Sequence, residues 1–219
     1  MGSQVALLQR ISKIVSSDAT LEKMLNELVS LTVGVTACDA CLVYLVDPAT
    51  ADFVLRASQL PHLAEIGNIR LKMGEGVTGW VAEHRSVVAL AEHAYADERF
   101  KPFHALPEDR FEAFLSVPLV SGGEVTGVIN VHHREKHTHS SEEIGLLTFV
   151  GEQMGGAIAM SQLAGHSRGA QRRMDALAAV TKAISADAYL DHILESVVNT
   201  LASLFDAPEC ALLVFDEER

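Results

Sequence analysis

Four histidines fall between positions 132 and 139: His132, His133, His137 and His139. Imidazole tracts of this kind can ligate zinc or nickel. The run falls on the polar connection between the segment EVTGVINVHH and a helix start at Ser140, with no acidic or cysteine partner fixed beside it, so no metal site is expected. Gly74-Glu75-Gly76-Val77-Thr78-Gly79 matches the dinucleotide pattern G-x-G-x-x-G. The segment IRLKM ahead of it is alternating and polar, unlike a buried parallel strand, and the helix after it is cut short where Ser86-Val87 begins a new strand. The glycines are read instead as a sharp turn that lets a short helix, anchored by Trp80, lie close on a sheet. Cys38-x-x-Cys41 has the spacing of a redox pair or half a metal site, yet Cys41 recurs as Cys210 within an apolar run and reads as a small core residue. No Ser-His-Asp set and no carboxylate pair stands out among acids scattered over turns and helix faces.

The elements around these residues follow from periodicity. Val5, Leu8, Ile11 and Val15 have helical spacing, and after Ser17-Asp18 a second helix carries Leu21, Leu25, Leu28, Val29 and Leu31. Cys41 to Val46 is apolar without alternation, which suits a central strand covered on both faces. DPATAD is a turn cluster before FVLRASQ. Glu92 to Glu112 is a long irregular stretch punctuated by His93, Pro102 and Pro107, and a segment of that length in a compact domain is usually a functional loop. AFLSVPLV and EVTGVINVHH meet through Ser121-Gly122-Gly123, a tight hairpin. Ser140 with Glu143 is a capping box, opening a helix that could run past Ile158 and Leu163.

The chain also repeats itself. KIVSSDATLEKMLNELV from Lys13 returns as KAISADAYLDHILESVV from Lys182, an ungapped offset of 169 positions, and CLVYLVD returns as CALLVFD shortly before Arg219. Repeats at so long a period are whole domains. The organisation expected is a first domain over 4–165, a connecting helix over 166–186 in which Ala170, Met174, Leu177, Thr181 and Ile184 keep heptad spacing, and the start of a second copy over 174–219. Net charge is −12 over 219 residues, which disfavours nucleic acid as a partner. No apolar run approaches bilayer length, and three cysteines, an odd number, fit a reducing compartment, so a cytoplasmic location without membrane contact is expected.

GEGVTGWVAEHRSVVAL, ADERF, FLSVPLVSGGEVTGVINVHH and SSEEIGLLTFVGEQMGGAIAMSQL occur in that order. Together they resemble a GAF domain. The resemblance implies an α+β fold, with a central antiparallel sheet of five or six strands, terminal helices on one face, and a small-molecule pocket under the irregular loop on the other. On that footing Trp80, His93, Asp97, Phe100, Phe103, His104, Phe111 and Phe114 are expected to line or cap the pocket. The resemblance further implies a sensory part of a signal-transduction protein, a multi-GAF sensor histidine kinase above all, itself without catalytic residues. Its alternatives are a ligand-free dimerisation module and a haem or redox sensor.

Ligand classes narrow but do not resolve to one cofactor. The Asn-Lys pair that marks cyclic-nucleotide-binding GAF domains is missing, and the cysteines at 38 and 41 are misplaced for a bilin. The pocket-loop cysteines of free methionine sulfoxide reductases are absent between Leu42 and Glu209. His104, ten residues before Phe114, is further from that segment than the proximal histidine of haem-sensing relatives. The apolar stripes on Leu8, Ile11, Val15, Leu147, Met154 and Ile158 look too extensive for one sheet face, and a homodimer through the terminal helices is expected.

Overall fold

A computed structural model describes residues 9–14, 20–60, 62, 64–103, 106, 110–185 and 190–213. Residues 9–14 are helical, and helix α1 runs over Leu21–Thr36. Thr20 opens α1, its hydroxyl accepting from the Lys23 amide at 3.3 Å, and Ala37 closes it in the left-handed conformation at φ 49°. Six strands follow: β1 (Ala40–Val46), β2 (Phe53–Ser58), β3 (Arg70–Leu71), β4 (Val88–Leu90), β5 (Ala113–Ser121) and β6 (Glu124–His133). They form one antiparallel sheet in the order β3-β2-β1-β6-β5-β4. Helix α2 (Gly76–His84) sits between β3 and β4, and α3 (Ser141–Ser185) follows β6.

The unalternating apolar run of β1 has the cause anticipated from sequence. Cys41, Val43 and Leu45 point into a core shared with α1, residues 9–14 and the first turns of α3, whereas Leu42 and Tyr44 point into a second core shared with α2 and the loop over 91–112. β5 and β6 divide in the same way, with Leu115, Val117, Leu119, Ile129 and Val131 on the helix side and Phe114 and Val128 on the loop side. The β5–β6 hairpin closes on Gly122-Gly123, both at positive φ (57° and 85°), the conformation a tight primed turn demands.

Close approach on the helix face is bought by Gly155. A Cβ placed there would lie 2.4 Å from the Val120 carbonyl oxygen, so only glycine lets α3 rest against β5 at this spacing. Gly79 plays the same part for α2, where a Cβ would meet the Lys72 carbonyl at 2.4 Å, and the G-x-G-x-x-G segment is therefore a packing device.

Ile11, Leu147, Met154 and Ile158 are all buried inside this first core. One sheet face does cover them, so these stripes supply no argument for a dimer; Leu8 and Val15 lie outside the described residues. Large apolar side chains that do stand exposed on α3 are Met160, Leu163, Met174 and Leu177.

The chain divides into two compact units, Met1–Ser161 and Gln162–Arg219. In the second, helix α4 spans Leu190–Phe205, each bound displaced from that of α1 by the 169 positions that relate the repeated sequences. The residue after each helix is left-handed as well, Ala37 at 49° and Asp206 at 51°. The run from Cys210, expected as a strand, has no regular structure over 210–213.

Replacing Gly155 by alanine should lower stability by about 1–3 kcal/mol through overpacking, read as a melting temperature reduced by several degrees. Gly145 on the same helix has nothing within 4 Å of the position its Cβ would take. Gly145→Ala should therefore raise stability by up to about 1 kcal/mol. Equal effects of the two substitutions in thermal denaturation would contradict this packing.

Candidate functional site

The sheet face opposite α1 and α3 carries a cavity of about 30 Å³. Its floor is Leu42, Tyr44, Phe114, Asn130 and His132, and its cover is Val77 and Thr78 of α2 with Phe100, Lys101, Phe103 and Leu106 of the long loop. The lining is mainly apolar, with one polar chain through the middle. Ser116 Oγ donates to Asn130 Oδ1 at 2.8 Å, and Asn130 Nδ2 donates to Thr78 Oγ1 at 2.7 Å, all three residues buried. This chain joins β5, β6 and α2 at the cavity floor. A serine within AFLSVPLV and an asparagine within GVINVHH interrupt otherwise apolar strands, and that interruption was the available signal for a polar group aimed into a core.

Of the eight residues expected at the site, Phe100, Phe103 and Phe114 line the cavity. Phe114 meets His132 edge-on, ring centroids 4.6 Å apart, and Phe111 meets it from further out at 6.4 Å. Trp80 lies outside the lining, stacked on His84 at 4.1 Å with the Arg99 guanidinium 4.8 Å from its ring centre. Asp97 holds that guanidinium with two contacts of 2.8 Å, which lower the Asp97 carboxyl below its ordinary range and raise Arg99. His93, at φ 53°, is exposed and paired with Glu112 at 3.1 Å. His104 lies outside the described residues. Thus Asp97, Arg99 and Trp80 fasten the loop to α2. Lys101 fastens it again through Glu75 just ahead of that helix, and its hydrogen bond is the main cause of Glu75's lowered pKa.

Cys38 and Cys41 are free and buried. Burial pushes both thiols up, Cys41 well above its ordinary value, so neither offers a reactive thiolate.

The histidine tract is divided by the strand. His132 turns to the cavity, while His133 points through the opposite face of the sheet and gathers with His137 and His139 on Glu143, in the first turn of α3. An acidic partner therefore does stand beside the tract, contrary to the sequence reading. Desolvation, reinforced by the neighbouring histidines, lowers His133 to about 4. Burial also lowers His139, against the pull of Glu143. Glu143 is itself lowered: burial opposes its ionisation, but the hydrogen bonds from His137 and His139 outweigh that.

The architecture and the loop-covered face define a GAF domain, and residues 20–158 match that family. The chain belongs to the GAF domain family. It is 29% identical over 156 residues to a phosphoenolpyruvate-dependent phosphotransferase system protein of Escherichia coli strain K12, a match covering 71% of this chain and 21% of that protein. The chain therefore spans about a fifth of that relative's length. Among solved structures, the GAF domain of a phosphoenolpyruvate-protein phosphotransferase from Coxiella burnetii is 27% identical with a TM-score of 0.67, over 74% of this chain and 96% of that one. The corresponding domain from Acinetobacter, 24% identical with a TM-score of 0.65 over 74% and 96%, shares the fold. No helix among the described residues is long and apolar enough to cross a membrane.

Asn130→Leu keeps the approximate volume but strands the buried Ser116 and Thr78 hydroxyls, and should cost about 1–3 kcal/mol in urea unfolding. Adding Ser116→Ala should recover part of the loss, because one stranded donor is removed. Strict additivity of the two changes would mean that the polar chain is not coupled.

Proposed function

We propose that this chain is the small-molecule-sensing regulatory region of a larger signalling protein whose output transfers phosphoryl groups, and that it has no catalysis of its own. The observation carrying the reading is the buried Ser116–Asn130–Thr78 chain beneath a loop fastened by ion pairs: polar groups inside a mainly apolar site, under a cover held in part by partly exposed charges. The relatives named above belong to phosphoenolpyruvate phosphotransferase systems, which favours that output over the histidine kinase drawn from resemblance alone. Both outputs move a phosphoryl group, and a shared regulatory input fits either. The repeated sequence, with its equivalent helix and helix cap, supports reading 174–219 as the start of a second GAF domain.

Metabolite sites are commonly 300–1,000 Å³, and the cavity of about 30 Å³ holds little more than a water molecule. Binding therefore requires the loop over 91–112 to move outward, carrying Phe100 and Phe103. Native mass spectrometry of protein purified from its source should show bound mass, and amide exchange in 91–112 should slow when that compound is added back. Phe103→Ala should change the affinity. No bound mass, no response to a metabolite library and an unaltered loop would leave the ligand-free module, which the small cavity favours.

Assembly through α3 is part of the proposal. Met174 and Leu177 are about two-thirds exposed, and they lie in the heptad series continued by Thr181 and Ile184. Light scattering at tens of micromolar should report a dimer, and the pair of substitutions Met174→Glu and Leu177→Glu should yield a monomer with an unchanged circular dichroism spectrum. A monomeric parent protein would refute dimerisation.

A further inference from the structure

The side chains of His133, His137, His139 and Glu143 each offer a ligand atom, and these four atoms lie within 4.8 Å of one another. They come from three pieces of structure: the last residue of β6, the short connection after it, and the first turn of α3. We propose that they form a binding site for a divalent transition metal of the zinc class, clamping the end of the central strand to the start of the long helix.

The donor set defines the class. Three imidazoles and one carboxylate suit zinc, whose closed sites are tetrahedral with ligands about 2.0–2.2 Å from the ion. Four donors so placed are roughly 3.3 Å from each other. Two separations are already in that range, His137 Nε2 to Glu143 Oε2 at 3.1 Å and His139 Nδ1 to Glu143 Oε1 at 3.3 Å. The His133 and His137 rings are stacked with centroids 3.9 Å apart and an interplanar angle of 13°, so both rings stand beside the same point and must turn to aim their in-plane lone pairs at one ion.

A second observation separates this cluster from an ordinary hydrogen-bonded group. Nε2 of His133 is buried and makes no hydrogen bond among the described residues, and Nε2 of His139 makes none of normal geometry. A buried nitrogen left without a partner loses its hydrogen bond to water and regains none. A metal ion would accept the His133 lone pair. Glu143 shows the same bias. Its amide completes the helix cap, donating to Ser140 Oγ at 3.1 Å, but its carboxylate serves His137 and His139. The site has an approach for an ion as well: the His137 side chain is 35% exposed, while those of Glu143 and His139 are 11% and 1% exposed.

The untagged 219-residue chain, stripped with a chelator, should take up one zinc ion per chain in a competition titration against a chromophoric chelator. Cobalt substituted for zinc should give the intense visible bands of four-coordinate Co²⁺. Glu143→Gln preserves shape and the amide cap, and His137→Ala removes a partly exposed ligand; each should weaken zinc at least tenfold and abolish the cobalt bands. His84→Ala, on α2, should leave both unchanged. Zinc uptake with the same affinity in Glu143→Gln and His137→Ala, or no uptake by the folded parent protein, would overturn the site.

Discussion

A sheet whose innermost strands are buried on both faces requires two covers, and the rest of the domain answers that demand. β1 and β6 place successive side chains in two separate cores, so neither face can be left to water. The helix cover is mainly apolar, built from Leu28, Leu147, Met154 and Ile158, and Gly155 lets it approach to the backbone. The loop cover differs in kind. It lies over a polar chain, Ser116–Asn130–Thr78, and is retained by Asp97–Arg99 and Glu75–Lys101 pairs that are partly exposed. Partly exposed ion pairs contribute little each in water, so the loop is the cover that local opening would release first. The two faces of the sheet are therefore held differently, one by apolar packing and the other in part by ion pairs.

That asymmetry also bears on residues whose chemistry invites a ligand. Asp97 looks like a recognition group, but its carboxylate is committed to Arg99, and Arg99 in turn lies over Trp80. His93 is likewise taken up by Glu112 and by an edge contact with Tyr95. These side chains hold the cover in place from outside. The groups that meet the cavity directly are mainly apolar side chains, with Tyr44, Thr78, Lys101, His132 and the buried amide of Asn130 among them.

The histidine tract shows how strand alternation distributes function. His132 and His133 are adjacent in sequence, yet the pleat sends one to the loop-side cavity and the other to the helix side. Once His133 is on the helix side, the turn from β6 into α3 brings His137, His139 and Glu143 around it. The end of the sheet and the beginning of the outgoing helix thus share one polar cluster. Any force that moves β6 relative to α3 must work on it.

Patterns with short range were legible in the sequence because local physics dictates them. The doubly covered strand β1, the Gly122-Gly123 hairpin, the Ser140 cap, the buried role of both cysteines and the rejection of a dinucleotide loop all follow from period, turn chemistry or steric demand within a few residues. The order of segments revealed the GAF family, and the offset of 169 positions revealed a second helix with equivalent bounds. Contacts between distant residues were decided only by the tertiary structure. Asn130 meets Thr78 across 52 positions, Lys101 reaches back 26 positions to Glu75, and the stripes on Leu147, Met154 and Ile158 find their cover within one domain. Periodicity tells which face of an element is apolar, but not how much opposing surface the fold will bring to it. For the same reason a glutamate that reads as half of a capping box became the centre of three histidines: the sequence shows that Glu143 has a carboxylate to place, and only the path of the chain from β6 to α3 determines what stands within its reach.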